Sequence, residues 1–402
     1  MFKKSAILFF CLVVSITGCS ASTPELKSIL NKPKSTSSIS IKKPTPVVKK
    51  STPNVNNNHS NTAAAAAPDW VHMFNEQNGY GESLNQPVMV TSNGGKTWIN
   101  VTPLKGVSVP DINVSGYFLN AQIGWAFKVQ RDKSLTVFGT HDGGQSWSQL
   151  ATVPIKYGDG GWFVAFSDAQ HGWFEEETAG MHTALSGELF ATSDGGKTWQ
   201  RVASVSYKYK FDKANDWVPV HQGNLPFTGS LSAQKDGTLW LIGAGIQKST
   251  DGGRTWSPED LPLLANQKTE DISTPVFFGN SDGVIIVQFK GGNWVLYTTR
   301  DGGRTWSFHK FPLVLRGSGV VYNFISNREG WMINNGDGPK PAGKVLYVTQ
   351  DGGHSWQTIP ISNALKNRFI KEMDFVDSKV GWITYNQGTV PGLAKSTNGG
   401  IS

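Results

Sequence analysis

From Asp69 onward, short runs of alternating apolar and polar residues recur along the chain, each followed by a polar turn and then a glycine–aromatic step. Two of these runs read VSGYFLNAQIGWAF over 114–127 and IKEMDFVDSKVGWITY over 370–385. The step falls at Gly79-Tyr80, Gly124-Trp125, Gly172-Trp173, Gly330-Trp331 and Gly381-Trp382, with looser versions at Gly237-Thr238-Leu239-Trp240 and Gly283-Val284-Ile285. A period of two in runs this short predicts half-buried strands separated by turns. After the first 67 residues no stretch of useful length carries a helical period.

Behind each run comes an octet. The copies are Thr91–Trp98 (TSNGGKTW), Thr140–Trp147 (THDGGQSW), Thr192–Trp199 (TSDGGKTW), Ser249–Trp256 (STDGGRTW), Thr299–Trp306 (TRDGGRTW) and Thr349–Trp356 (TQDGGHSW). A cut-off copy, STNGGIS, occupies 396–402. The acidic or amide position falls at Asn93, Asp142, Asp194, Asp251, Asp301, Asp351 and Asn398, in steps of 49, 52, 57, 50, 50 and 47. Self-similarity at that period predicts a repeat architecture. Asp-Gly-Gly between β-prone runs is a hairpin signal, because glycine adopts positive φ without a Cβ clash. The Asp or Asn oxygen can accept from backbone N–H groups just ahead of it, and the flanking Thr or Ser can pair across the turn. The closing Trp is expected to open the next strand and to bury about 150–250 Å², a gross gain of about 4–6 kcal/mol per copy before entropy.

Each unit therefore holds an inner strand, a Gly-Trp strand, a strand into the octet and an outer strand. Four antiparallel strands per repeat of about 50 residues make the blade of a β-propeller. Seven units over 68–402 predict an all-β, single seven-bladed β-propeller. Eleven of the fifteen Trp fall in the two motifs and read as core between blades. The pattern calls for a Trp and an outer strand after Ser402. Either an N-terminal segment completes the last blade or the sequence is cut short; the Ala-rich run before Asp69 is a poor strand, which favours the second.

The octet resembles the Asp box, or BNR repeat, of sialidases, xyloglucanases, sortilin-type receptors and photosystem II assembly factors. That resemblance implies turns at one rim, away from the functional face, and hence structural rather than catalytic or metal-binding roles for the seven Asp/Asn positions. The Gly-Trp strand followed by the octet at this spacing, from Trp70 to the end, resembles the photosystem II assembly factor type of propeller. Membership would imply a non-catalytic, membrane-anchored chaperone of a membrane protein complex. One departure concerns charge: that family's partner patch is arginine-rich, and this propeller is Arg-poor.

Residues 1–19 lie outside the fold. Lys3 and Lys4 precede the apolar run Ala6–Ile16, which is too short to span a bilayer and typical of a secretory signal. It ends in Ile16-Thr17-Gly18-Cys19, similar to the bacterial lipobox, which implies diacylglycerol on Cys19 and a location on the extracytoplasmic face of a bacterial cell membrane. Cys11 and Cys19 are the only cysteines, so the mature chain is expected to lack a disulfide. Residues 20–67, rich in Ser, Thr, Pro, Asn and Lys, read as a flexible tether. Residues 1–67 carry nine Lys against Glu25, a net of +8, and the remainder carries 28 basic and 29 acidic groups. The basic pI thus belongs to the anchor, and a nucleic-acid partner is excluded on that ground. Lys42-Lys43 and Lys49-Lys50 suit an anionic lipid or wall-polymer surface, or simply keep the linker solvated.

Surplus chain points to where a partner binds. The 57-residue step holds Tyr207, Lys208, Tyr209, Lys210, Phe211, Trp217 and His221 in an excursion after the third blade. Just before that blade lies Lys156–Trp162, and within it Glu175-Glu176-Glu177 leads through Met181 and His182 to Glu188. Three long loops on the face opposite the octets would form a recognition patch, with Trp162, Tyr207, Tyr209 and Trp217 as aromatic anchors and a charged rim. The alternative is that Trp162 and Trp217 only cover blade edges. Glu175, Glu177 and His182 are a poor metal set, and no metal or cofactor is expected.

Catalysis is disfavoured. Sialidases need an arginine triad whose first member precedes the first Asp box, but Arg131 is the first of only eight arginines here and follows it. Arg254, Arg300 and Arg304 occupy variable positions of the octets. Xyloglucanases pair two propellers around a cleft, and one is present here. No Gly-rich phosphate loop, Gly-x-Ser-x-Gly elbow or His-x3-His pair occurs. The leading expectation is a lipid-anchored binding or assembly propeller for a protein partner. A cell-surface glycan binder using Trp162 or Trp217 comes second, and an atypical hydrolase third.

Overall fold

The computed structural model describes residues 54–55 and 67–400, apart from 84–85, 104–112, 131, 158–161, 179–184, 212–216, 264–266, 268, 312–318, 336–343 and 389. The expected leader, Cys19 and most of the tether lie outside the described residues. Among those described there is no helix.

The strands form seven antiparallel sheets, taken here as blades I–VII in chain order. A two-residue strand β1 (Asn54–Val55) comes first. Blade I is β2 (Trp70–Met73), β3 (Gly79–Ser83), β4 (Gln86–Thr91) and β5 (Ile99–Asn100). Blade II is β6 (Asn113–Phe118), β7 (Gly124–Val129), β8 (Ser134–Thr140) and β9 (Trp147–Pro154), and β1 pairs on the edge of β9. Blade III is β10 (Trp162–Phe166), β11 (Gly172–Glu177), β12 (Gly187–Thr192), β13 (Gln200–Phe211) and β14 (Trp217–Gly223). Blade IV is β15 (Ser230–Ala233), β16 (Leu239–Ile242), β17 (Ile246–Ser249) and β18 (Ser257–Pro258). Blade V is β19 (Thr269–Ile272), β20 (Val276–Phe278), β21 (Asp282–Phe289), β22 (Asn293–Thr299) and β23 (Ser307–Lys310). Blade VI is β24 (Val320–Phe324), β25 (Gly330–Asn334), β26 (Val345–Thr349) and β27 (Gln357–Pro360). Blade VII is β28 (Phe369–Phe375), β29 (Gly381–Gln387) and β30 (Val390–Ser396), with three strands among the described residues.

The octets are the turns between the third and fourth strands. In the copy at 192–199, the Thr192 hydroxyl donates to Asp194 Oδ1 (2.8 Å) and accepts from Gly196 N (2.9 Å). Asp194 Oδ1 also accepts from Lys197 N (3.0 Å) and Thr198 N (2.9 Å), and Oδ2 accepts from the Thr198 hydroxyl (2.6 Å). Both turn glycines have positive φ, 75° and 91°. The flanking hydroxyls thus serve the aspartate and the glycine amide rather than pairing with each other across the turn. Asn93 keeps the same acceptor for Thr97 N (3.0 Å) and donates its amide to the Thr97 hydroxyl (2.7 Å). The closing Trp are less uniform than expected. Trp98, Trp147 and Trp306 are buried, Trp199, Trp256 and Trp356 half-buried, and only Trp147 itself opens a strand.

The Gly-Trp tryptophans join blade to blade. Trp125 Nε1 donates to Gly195 O in the turn of blade III (2.9 Å), Trp173 to Gly252 O of blade IV (3.1 Å) and Trp331 to Gly399 O of blade VII (3.2 Å). Each of the four is buried, and the last, Trp382, donates to Gly94 O of blade I (3.0 Å). The second turn glycine is crowded as well as left-handed: a Cβ on Gly95, φ 82°, would lie 3.2 Å from Trp382 Nε1. The same indoles stack on the next blade's inner strand, Trp125 on Phe166 (3.7 Å) and Trp331 on Phe375 (4.0 Å). Those phenylalanines in turn lie over the glycine of their own Gly-Trp step. The I–VII seam closes the ring with three further contacts. Met73 N donates to Asp374, Lys371 pairs with Asp69, and Lys395 Nζ donates to Glu76 O (3.4 Å).

Removing one buried donor and part of a ring from this seam should cost about 2–4 kcal/mol. We therefore expect Trp382→Phe to lower the guanidinium unfolding midpoint far more than Trp256→Phe, whose indole bonds within its own turn to Gly253 O (3.0 Å). Equal losses would remove the seam from the account.

Candidate functional site

Direction along the strands defines two faces. In blade III the turn 167–171 between β10 and β11 meets the octet, with Gly195 N donating to Gln170 O (2.9 Å). The opposite face then carries the start of each inner strand, the loops between second and third strands, and the blade-to-blade connections. Trp162 opens β10 on that face, half-buried and edge-on to Phe127 (5.6 Å). Tyr207 lies there too, with its ring 5.7 Å from His221.

The excursion after blade III is not a loop. β13 continues past its last pairing with β12 at Val205, and the extension pairs with β14: Tyr207 with His221, Tyr209 with Pro219 and Phe211 with Trp217. A β-ribbon therefore projects from the outer edge of blade III. Its alternating Tyr-Lys-Tyr-Lys-Phe run is itself a period-two strand pattern. Met181 and His182 lie outside the described residues.

The expected charged rim is overturned. Glu175, Glu176 and Glu177 are all buried on β11, and Glu188 is buried opposite Glu176 on β12. Glu176 accepts from Lys156 N (2.8 Å) and Tyr157 N (2.9 Å), which pins the connection into blade III. Glu188 pairs with Arg201 (2.6 Å). Glu175 accepts from Gly229 N (3.3 Å) ahead of β15, and its Oε1 has no hydrogen-bond partner among the described residues. Alternation on a strand sends Glu175 and Glu177 to one side, toward the connection into blade IV, and Glu176 to the other, toward the connection into blade III. Burial, reinforced by the neighbouring Glu177, pushes the Glu175 carboxyl well above the usual range. Glu82 repeats the device between blades I and II, accepting from Gly116 N (2.6 Å) and Ser115 Oγ (3.0 Å), and burial raises it to about 7.

A groove of about 1160 Å³ follows the octet side of blade III. The carboxylates along it are engaged: Glu188 by Arg201, Asp168 by His171 (2.9 Å), Asp236 by Thr238 N (3.0 Å) and Asp251 within its own octet. Asp301 shows what that engagement does. The Thr305 hydroxyl and amide hold its carboxyl well below the usual range, as an anion committed to the turn. Asp251 and Asp301 are thus committed to their own turns.

Fold and turns together define a seven-bladed Asp-box β-propeller, and residues 247–258 match the BNR/Asp-box repeat. The chain is similar to photosystem II assembly factors. It is 24% identical over 263 residues to the photosystem II assembly lipoprotein Ycf48 of Synechococcus sp. (strain CC9902), covering 57% of this chain and 74% of that one. It is 28% identical over 171 residues to the photosystem II assembly protein Ycf48 of Synechococcus sp. (strain JA-3-3Ab), covering 38% of this chain and only 50% of that relative's length. A solved structure, YCF48 bound to D1 peptide, superposes with a TM-score of 0.52 at 18% identity, over 88% of this chain and 97% of that one. An ancestral GH74 enzyme shares the fold at a TM-score of 0.50 and 15% identity, over 87% of this chain and 48% of that one. At these identities the structural likenesses speak to fold alone.

The buried Glu175 yields a test. A carboxyl raised by folding stabilises the native state below its ordinary pKa and loses that contribution as pH rises through the folded value. Stability should therefore fall on going from pH 5 to pH 8, by up to about 1.4 kcal/mol per pH unit per such group. Glu175→Gln should flatten part of this slope and match or exceed the parent at pH 8 in urea titrations. A variant less stable than the parent at pH 8 would mean that Glu175 is held as an anion.

Proposed function

We propose that this chain is a non-catalytic, lipid-anchored extracytoplasmic propeller that holds a protein partner during assembly of a membrane complex. The observation that carries the reading is the extended similarity to an assembly lipoprotein, 24% identity over 74% of its length. The ITGC motif at Cys19 supports the anchor, and the tether of residues 20–67 gives the propeller reach. A related propeller is described with a D1 peptide bound, which favours a polypeptide ligand over a glycan. The ribbon of blade III and Trp162, which opens the inner strand on the same open face, are the features that a partner would meet. The partner's identity is left to its chemistry: an extended segment of a membrane protein.

Two outcomes follow. Cells expressing the chain should show it in the membrane fraction with a diacylglyceryl mass shift, and Cys19→Ser should release it; an unmodified Cys19→Ser protein that still pellets with membranes would sink the anchor. Tyr209→Ala combined with Trp217→Ala should weaken capture of a membrane protein from solubilised membranes about tenfold or more with the melting temperature nearly unchanged. A melting temperature lowered by several degrees would make these residues packing, and undiminished capture would move the site elsewhere.

A further inference from the structure

We propose that the outer edge of blade II is a strand-addition site that the chain fills itself, with Asn54–Val55 laid on it as a fifth strand. The reason lies in the edge. A strand at the rim of a sheet presents unpaired N–H and C=O groups, and it is made safe by being short, by proline or lysine, or by a cover. The outer strands of four blades take the first two routes. β5 and β18 have two residues each, and β18 ends in Pro258. β23 (SFHK) and β27 (QTIP) have four residues each and end in Lys310 and Pro360. The long β13 is covered by β14. β9 differs from all of these: it runs eight residues, WSQLATVP, without a charge, and its proline comes only at the last position.

Its cover is β1. Asn54 lies opposite Ser148 and Val55 opposite Trp147 in an antiparallel pair, so blade II has the order β1-β9-β8-β7-β6. Among the described residues this pairing goes no further than Ser148, and the edge itself gives the reason. Gln149 and Ala151 face consecutive residues of β8, so Leu150 is a bulge, and the regular part of the edge is the part that β1 covers. The sequence marks the same point from the other side. Across 49–62 Val55 is the one strand-forming apolar residue, and Pro53 before Asn54 lacks the N–H that a longer ladder needs.

Two residue pairs would hold poorly between separate molecules. Here residues 56–69 join Val55 to the inner strand of blade I, which makes the pairing intramolecular at an effective concentration of about millimolar. Because β1 runs opposite to β9, the chain comes from the open face and leaves at the octet rim. The consequence is where the propeller is held. An anchor at Cys19 then pulls on the rim of blade II, next to blade III, rather than on Trp70 at the inner strand of blade I. That consequence rests on the proposed anchor, whereas the strand addition does not.

The test uses the full chain in a Cys11→Ser, Cys19→Ser background, so its failure leaves the anchor prediction untouched. Asn54→Cys with Ser148→Cys sets two directly opposed residues within disulfide reach. Asn54→Cys with Thr152→Cys places the second thiol roughly 13 Å further along the strand. Under mild oxidation the first pair should close as an intramolecular bridge and the second should not. Without added cysteines, Val55→Pro should speed amide hydrogen exchange over 147–150 by about fivefold or more and leave the strands of blades I and III unchanged. A peptide of residues 49–60 at about millimolar concentration should restore that protection in Val55→Pro and change nothing in the parent, whose edge is filled. Equal bridging at 148 and 152 would mean that no register is fixed, and bridged dimers would make the occupant a second copy. Exchange that Val55→Pro does not alter, or that the peptide does not slow again, would leave the edge without an addition site. Each of these results overturns the proposal.

Discussion

Much of this molecule depends on one hydrogen bond, from a buried indole to the carbonyl of a glycine in the next blade's turn. Propeller blades do not share a sheet, so their seams need contacts that are both apolar and directional. A tryptophan supplies both: ring area to exclude water and one N–H that fixes the angle between blades. The Asp box is the other half of the joint. Its aspartate and threonine satisfy the turn's own amides, which leaves the first glycine's carbonyl free to accept the neighbour's indole. Glycine is favoured beside it because its φ is positive and a Cβ there would crowd the indole edge, as at Gly95 and Gly196, or a leucine, as at Gly253 and Gly400.

The departures from this joint test the logic. Blade I has Tyr80 in place of the tryptophan, and the seam to blade II is held instead by Trp147 of blade II, which donates to Val101 O (2.6 Å). At the seam from IV to V, Trp240 packs against Gly303 but its Nε1 has no hydrogen-bond partner among the described residues. Blade V carries Gly283-Val284-Ile285, and Leu296 meets Gly353 where an indole would be. There the His309 and His354 rings meet at 3.6 Å, tilted by 38°, with burial and the neighbouring imidazole lowering the His309 pKa. A seam can therefore lose its indole if another side chain fills the volume. The ring tolerates this at separate positions because each blade has two neighbours.

The fold was legible in the sequence because an Asp box is local. Its hydrogen bonds run from one residue to the next four, so each copy declares itself, and the Gly-Trp step declares the strand before it. What the indoles reach was not legible: Trp125 and Gly195 are 70 positions apart, and Trp382 and Gly94 are 288 apart. The site was less legible still. Glu175-Glu176-Glu177 reads as a solvated rim, since three consecutive charges are seldom buried. Burial works here because strand alternation delivers Glu176 to one side of the sheet and Glu175 to the other, where backbone donors at 156–157 and at 229 receive them and no local pattern advertises either. The ribbon of blade III was read as a loop from its surplus length, although its Tyr-Lys-Tyr-Lys-Phe alternation already carried the period of a strand.

These two halves of the molecule answer to different constraints. On the octet face, hydroxyls, carboxylates and turn amides are consumed by repeated structure, so changes there are paid in stability before anything else. On the opposite face the connections differ in length and composition from blade to blade, and a seam needs only a buried carboxylate such as Glu82 or Glu175, or a half-buried amide such as Asn335, to hold the strand beneath. The exposed residues above those clamps are free to vary. Function that must be specific to one partner or one surface can therefore be written on the open face without disturbing the indole joints that keep the ring closed.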